Sequence, residues 1–231
     1  MLTTVVFVPT PPLLVPELAG AAAAATQQLR DACLQAIGVL AEQTRSWIAI
    51  AANAADTHLG PDTAGTWQPF GARVPVAFSP TGLGRTGAEL PLPALIAAWL
   101  RGRAARDATI QMDLYADDTP PARCRELGRE LDNGVFHGLL VLGDGCTTLS
   151  EKAPGAFDER AAGLQNRIDR ALATADTRAI GELDAQRCVE LGVSGRVPWQ
   201  IAAAVGGEWQ GRSMYAGAPY GVGYQVAVWQ R

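Results

Sequence analysis

The sequence predicts an α/β protein: a single domain with a mostly parallel or mixed central sheet flanked by helices, and an antiparallel strand pair at the C-terminus. Three observations carry this. Thr3–Val8, Trp47–Ala51 and Leu139–Leu142 are short apolar runs, the length of buried strands. Longer segments between them repeat apolar residues at three- and four-residue spacing, as helices do. The last two strand-like runs, Ser213–Tyr215 and Gly223–Trp229, are separated by a short Gly/Pro turn, which suits antiparallel neighbours.

The elements follow in order. Proline lacks a ladder donor, so Pro9-Thr10-Pro11-Pro12 stops the first strand. Glu17–Arg45 reads as one long helix, with Leu29, Cys33, Ala36, Ile37 and Leu40 on one face. After Trp47–Ala51, the stretch Asn53–Phe70 has no periodicity and reads as a loop placed to cover a cleft, with Trp67 and Phe70 as lid candidates. Val74–Phe78 is a short strand, Gly82–Gly87 a flexible turn and Pro93–Arg103 a helix. Thr109–Tyr115 alternates apolar and polar, so it is a strand with one wetter face. Pro120–Asp132 is a helix opened by proline and ended by Asn133-Gly134. Helices follow at Phe157–Ala173, Thr177–Leu183, Ala185–Leu191 and Pro198–Val205. Trp99 and Trp199 lie on helical faces as core residues.

Composition excludes several classes of function. A net charge of −4, with nineteen basic residues spread thinly, gives no nucleic-acid stripe. Of the basic residues only Lys152 is lysine, the usage of a GC-rich bacterial genome. No apolar stretch suits a bilayer span, and the start MLTTVVFVPTPP lacks a charged leader. Cys33, Cys124, Cys146 and Cys188 show no C-x-x-C spacing, so reduced thiols and a cytoplasmic location are expected.

The candidate chemistry gathers where strands end, since α/β proteins bind ligands beyond the carboxyl ends of their strands. If the three core strands are parallel, Thr10, Asn53 and the Asp144, Cys146, Thr147 group meet on one edge. Gly217, before the last turn, is a fourth contribution. His58 lies five residues past Asn53 on that edge. His137 precedes the core strand and belongs to the opposite end, about 30 Å from Cys146 when extended at about 3.3 Å per residue. A metal site using both histidines is therefore not expected. Cys146 would act as a nucleophile only with a base beside it, and His58 with Asp56 or Asp62 is the candidate set.

Four segments, in order, resemble the class III extradiol ring-cleavage dioxygenases of the catalytic beta-subunit type. They are VFVPTPPLLVPELAG, WIAIAANAADTHLGP, GLLVLGDGCTTLSEKAPGAFDERAAGLQNRI and YAGAPYGVGYQVAVW. The resemblance spans nearly the whole chain, 1–231, as one subunit-B-like domain. It implies an Fe(II) site of two histidines and a glutamate, with another histidine as acid/base. Carried over, the first histidine falls on Thr10, the second on Asn53, the glutamate on Ala216 or Gly217, and the acid/base on Thr147 or Cys146. None of these positions keeps its residue, so no cofactor is expected here, although active relatives use Fe(II). The resemblance thus implies a scaffold that has lost ring cleavage and binds a small molecule or partner protein through a pocket of Thr10, Asn53, His58, Asp144, Cys146, Thr147 and Gly217. A metal-dependent enzyme or oxidoreductase with residues relocated around His58 and Cys146 is the alternative. A homodimer is also expected as an option, through an apolar face of Glu17–Arg45 or Pro198–Val205. Neither nucleic acid nor membrane is an expected partner.

Overall fold

The computed structural model describes residues 2–82, 89–132 and 137–231. The Gly82–Gly87 turn, beyond its first residue, and the Asn133-Gly134 stop lie outside them.

Seven strands form one mixed sheet. In chain order they are β1 (Thr4–Val8), β2 (Ser46–Asn53), β3 (Thr57–Leu59), β6 (Thr109–Ala116), β7 (Gly138–Leu142), β8 (Gln210–Gly217) and β9 (Tyr224–Gln230). A separate two-stranded ribbon pairs β4 (Ala64–Thr66) with β5 (Pro75–Ala77). The spatial order is β3-β6-β2-β7-β1-β9-β8. β1, β7, β2 and β6 run parallel; β3 and β9 pair antiparallel with β6 and β1, and β8 with β9. The fold is the single α/β domain expected, including its antiparallel C-terminal pair.

The core strands are apolar on both faces because helices cover both. Alternating side chains of β1 and β7 divide cleanly: Val6, Val8, Leu140 and Leu142 face one layer, and Val5, Phe7, Leu139 and Val141 the other. The first layer holds α2 (Gln27–Gln43) and α3 (Leu92–Ala104). The second holds α4 (Pro121–Leu131), α5 (Arg160–Thr174), α6 (Thr177–Gly181), α7 (Ala185–Glu190) and α8 (Arg196–Ala203). Asp176 and Asp184 cap the short α6 and α7, each carboxylate accepting from the backbone N–H three residues on, at 2.9 and 2.7 Å.

Two expectations are corrected. The Glu17–Arg45 helix is broken into a short α1 (Pro16–Ala19), a 3-10 turn at Gly20–Ala23 and then α2. Gly20 adopts φ 51°, a conformation that ends a helix. The residues before α2 fold back on it: Thr26 donates its hydroxyl to Leu13 O at 3.0 Å, and Arg30 Nε donates to Leu14 O at 2.8 Å. The Asn53–Phe70 loop is also more ordered than its composition suggests. Thr57–Leu59 adds to the sheet edge and Ala64–Thr66 enters the ribbon. Trp67 is fully buried rather than a lid, with its ring 5.3 Å from that of the exposed Phe70.

One buried charge ties α3 to the β4–β5 ribbon and to the turn before β6. Arg101 of α3 donates to the carbonyls of Ala108 at 2.6 Å and Ala77 at 3.2 Å, and also to Arg106 O. Three carbonyls satisfy several of its five donors, while burial lowers its proton affinity and the nearby Asp107 charge opposes that effect.

Candidate functional site

The connectivity places a topological switch point between β1 and β7, where a crevice is expected. The chain leaves the carboxyl end of β1 toward α2, on one face of the sheet. It leaves β7 toward α5, on the other face. Where neighbouring parallel strands diverge in this way, a gap opens beyond their ends, and such gaps are the usual ligand sites of open α/β sheets.

Thr10 and Asp144 stand in that gap. The Thr10 backbone N–H donates to Asp144 Oδ1 at 2.7 Å, and the Thr10 hydroxyl donates to Asp144 Oδ2 at 2.9 Å. One carboxylate thus bridges the two strand tips with both of its oxygens. Asp144 is crowded by protein yet keeps some accessible surface, the position of a group on the floor of a recess. Burial pushes its carboxyl up to about 6, against the pull of the two Thr10 hydrogen bonds. The same carboxylate adds to the effect of burial in holding the Cys33 thiol and the Tyr224 hydroxyl above their ordinary ranges.

The turn carrying Asp144 is held from three sides. Gly143 N donates to Val8 O at 3.1 Å, continuing the β1–β7 ladder. Asp144 N donates to the Ser194 hydroxyl at 3.0 Å, and Gly195 N donates to Asp144 O at 2.9 Å. Gly145 N donates to Gly223 O, and Gly223 N to Cys146 O, both at 2.8 Å, so the segment entering β9 is stitched to the turn. From α5, Gln165 accepts the Cys146 backbone N–H at 2.8 Å and donates to Asp169 at 2.5 Å. A side chain at Gly145 or Gly223 would meet the end of the Gln165 side chain and displace its amide from these hydrogen bonds.

The other expected site residues scatter around this centre. Asn53 ends β2, two strands from β1 and so about 10 Å across the sheet at about 4.8 Å per strand. Its carbonyl accepts the Asp117 N–H at 2.9 Å. Gly217 ends β8 opposite Tyr224, on the same edge but two strands to the other side of β1. Thr147 turns away from the crevice: its hydroxyl lies against Gly192, and its backbone bonds Leu191 O and Gly155 N.

His58 and Cys146 are not brought together. His58 sits on edge strand β3, half exposed, with Nδ1 2.6 Å from Asp113 Oδ1. Its register partner Asp113 is matched to Ile50, which is matched to Val141, so three strand spacings separate His58 from β7. Asp56 accepts the Ala116 N–H at 2.7 Å. Cys146 is fully buried, with its thiol 3.6 Å from Ala161 O; burial, then the neighbouring Cys188, push it up to about 12. A thiol so placed is not a nucleophile at neutral pH, which corrects its candidacy along with that of His58 as its base. His137 is buried at the amino end of β7 rather than partly exposed.

These placements set an expected reactivity. All four cysteines are free and buried, so native protein should react with a thiol reagent such as Ellman's far more slowly than urea-unfolded protein, in which every thiol reacts. Rapid labelling of Cys146 in the native state, located by mass spectrometry, would contradict this geometry.

Iron suits this edge poorly. The positions that the resemblance assigns to its ligands hold a hydroxyl, an amide and a glycine, and the nearby carboxylate Asp144 is engaged at both oxygens. Among the described residues no three His, Cys, Asp or Glu side chains are grouped closely enough to hold a metal ion. Nor is any helix long and apolar enough to cross a membrane. Sequence reasoning missed Gln165, Ser194 and Tyr224. Gln165 left a faint trace, a polar residue beside Leu164 and Ile168 on the inward face of α5; Ser194 left none.

No protein-family model matches the sequence. No curated protein matches it either. Among solved structures, the chain is similar to the uncharacterized protein JW3007 from Escherichia coli K12, with a TM-score of 0.60 at 13% identity over 99% of this chain and 100% of that one. At that identity the likeness concerns the fold alone.

Proposed function

We propose that this chain is an extradiol dioxygenase-like protein that no longer performs iron-dependent ring cleavage and uses the crevice between β1 and β7 to bind a small molecule or a partner protein. The supporting observation is the Thr10–Asp144 bridge. It occupies the position where the resemblance places the first iron ligand and joins it to the turn where the resemblance places the acid/base. The switch-point topology supports a ligand site here, and the groups at its centre are a hydroxyl and a carboxylate that bind each other. Neither the Thr10 nor the Thr147 hydroxyl can take the place of an imidazole as general acid or base near neutral pH. Buried free thiols fit a reducing compartment, and we place the protein in the cytoplasm on that chemistry.

The test is reconstitution. Purified protein is incubated anaerobically with Fe(II), freed of unbound metal and assayed for iron content and for oxygen uptake with catechol. The expected result is far less than one iron per chain and no uptake above buffer. Stoichiometric iron with catechol-dependent oxygen consumption would overturn the proposal.

A further inference from the structure

A cavity lies in the helical layer, between α4, α6 and α8, and includes neither Thr10 nor Asp144. Its volume is about 450 Å³, within the range of small-molecule sites. Arg125, Arg129 and Arg178 line it, with Thr177, Glu182 and Gln200.

The charges on α4 are sorted in a way that leaves this wall unbalanced. Arg123 takes up both carboxylates of its helix, Glu126 at 3.1 Å and Glu130 at 3.4 Å. Arg125 and Arg129 are one turn apart, a like-charged pair that opposes the helix unless an anion lies between them. Neither guanidinium bonds to any described residue. Glu182 is the lone carboxylate of the wall, and it is shared: Arg178 Nε lies 2.8 Å from it and Arg167 3.9 Å. Three arginines against one glutamate leave two positive charges facing the cavity.

The floor is rigid and already satisfied. Gln200 is buried; its Oε1 accepts from Arg196 at 3.2 Å, and its Nε2 donates to Gly181 O and Leu183 O at 3.2 and 3.0 Å. A ligand's acceptors must therefore be met by the arginines and the Thr177 hydroxyl. Room for it comes from Ala203 and Ala204, and from Gly128, which lets α4 approach the backbone of α8. A planar guanidinium fork matches phosphate oxygens two at a time, and a phosphate monoester carries a charge of about −1.5 to −2 near neutral pH.

We propose that this cavity binds a soluble phosphate monoester, held by Arg125 and Arg129 with Arg178 and Thr177 completing the donor set. Binding to the folded state raises the melting temperature by mass action. Inorganic phosphate and phenyl phosphate are titrated at constant ionic strength, with chloride as the control. The melting temperature is expected to rise with both phosphates and not with chloride. The Arg125→Ala/Arg129→Ala variant, checked for folding by circular dichroism, is expected to bind phenyl phosphate at least about tenfold more weakly. An Arg212→Ala variant, altered on β8 away from the cavity, should bind as the parent does.

Equal binding by parent and double variant would overturn the proposal, as would an equal response to chloride. A double variant that is less stable but gives the same phosphate response would show that the arginines serve only as counter-charges to the carbonyls ending α8, and would also overturn it. So would sedimentation with vesicles containing phosphatidic acid without any response to the soluble phosphates, because that outcome assigns the arginines to a lipid headgroup.

Discussion

Replacing Asp144 with asparagine is expected to stabilise the protein at pH 8 by on the order of 3 kcal/mol relative to the same comparison at pH 4. The folded-state value of about 6 lies about two pH units above the ordinary aspartate value of 3.8, and each unit is worth about 1.4 kcal/mol. The sign follows from linkage. With its folded value raised, the carboxyl's contribution is fully present below about pH 4, where it is protonated in both states. That contribution is lost as the pH rises through about 6, because the folded protein must then bury a charge. Asparagine carries no such charge. Its amide can still accept the Thr10 N–H and meet the Thr10 hydroxyl, so the bridge keeps its shape. Urea denaturation of both proteins across this pH range reads the difference directly. Ion pairs that the substitution leaves in place, such as Asp158 with Arg160 and Asp132 with Arg231, contribute equally in both proteins and cancel. A difference that stays constant with pH would mean that Asp144 is well solvated and that the crevice is wider than the geometry here implies.

The Gly143→Ala variant is expected to lose about 3 kcal/mol, the upper part of the range for overpacking a closed interior. A Cβ at Gly143 would run into the backbone of Gly195, with Gly195 N at 3.1 Å. Gly195 cannot retreat. Its N–H is held by Asp144 O at 2.9 Å, and the ring of Trp199 fills the space where its own side chain would stand. Gly143 is itself bonded to Val8 O at 3.1 Å, so movement of the turn would open the β1–β7 ladder. Gly163→Ala is the contrasting substitution. Gly163 is the fourth residue of α5 with open space where a Cβ would stand, so alanine there should stabilise the protein by roughly 0.5–1 kcal/mol. Denaturation midpoints that fall for Gly143→Ala and rise for Gly163→Ala would place the steric constraint at the turn. A neutral Gly143→Ala would show that the turn and the 192–195 loop can separate.

Much of the scaffold is legible because its signals are local. Thr4–Val8 and Gly138–Leu142 are unbroken apolar runs, and only strands covered on both faces use such runs. Their tips were found for the same reason, since proline and glycine interrupt the ladder at fixed places. The misreadings come from effects with no local trace. Gly20 and the fold-back of Leu13 and Leu14 break the first long helix, although the residues on either side have helix-like composition. Trp67 reads as a loop residue, but the ribbon of Ala64–Thr66 and Pro75–Ala77 carries it inward.

The sequence by itself determined the fold class and the strand ends, because both depend on residue type and short-range spacing. Only the tertiary structure decided which polar groups meet. Cys146 and Thr147 are adjacent to Asp144 in the chain, yet one is sealed beneath α5 and the other faces Gly192. Thr10, separated from Asp144 by 134 residues, is the group that touches it. The parallel pairing of β1 with β7 brings about that contact, and the divergence of the chain to opposite faces beyond those strands leaves the space in which it forms.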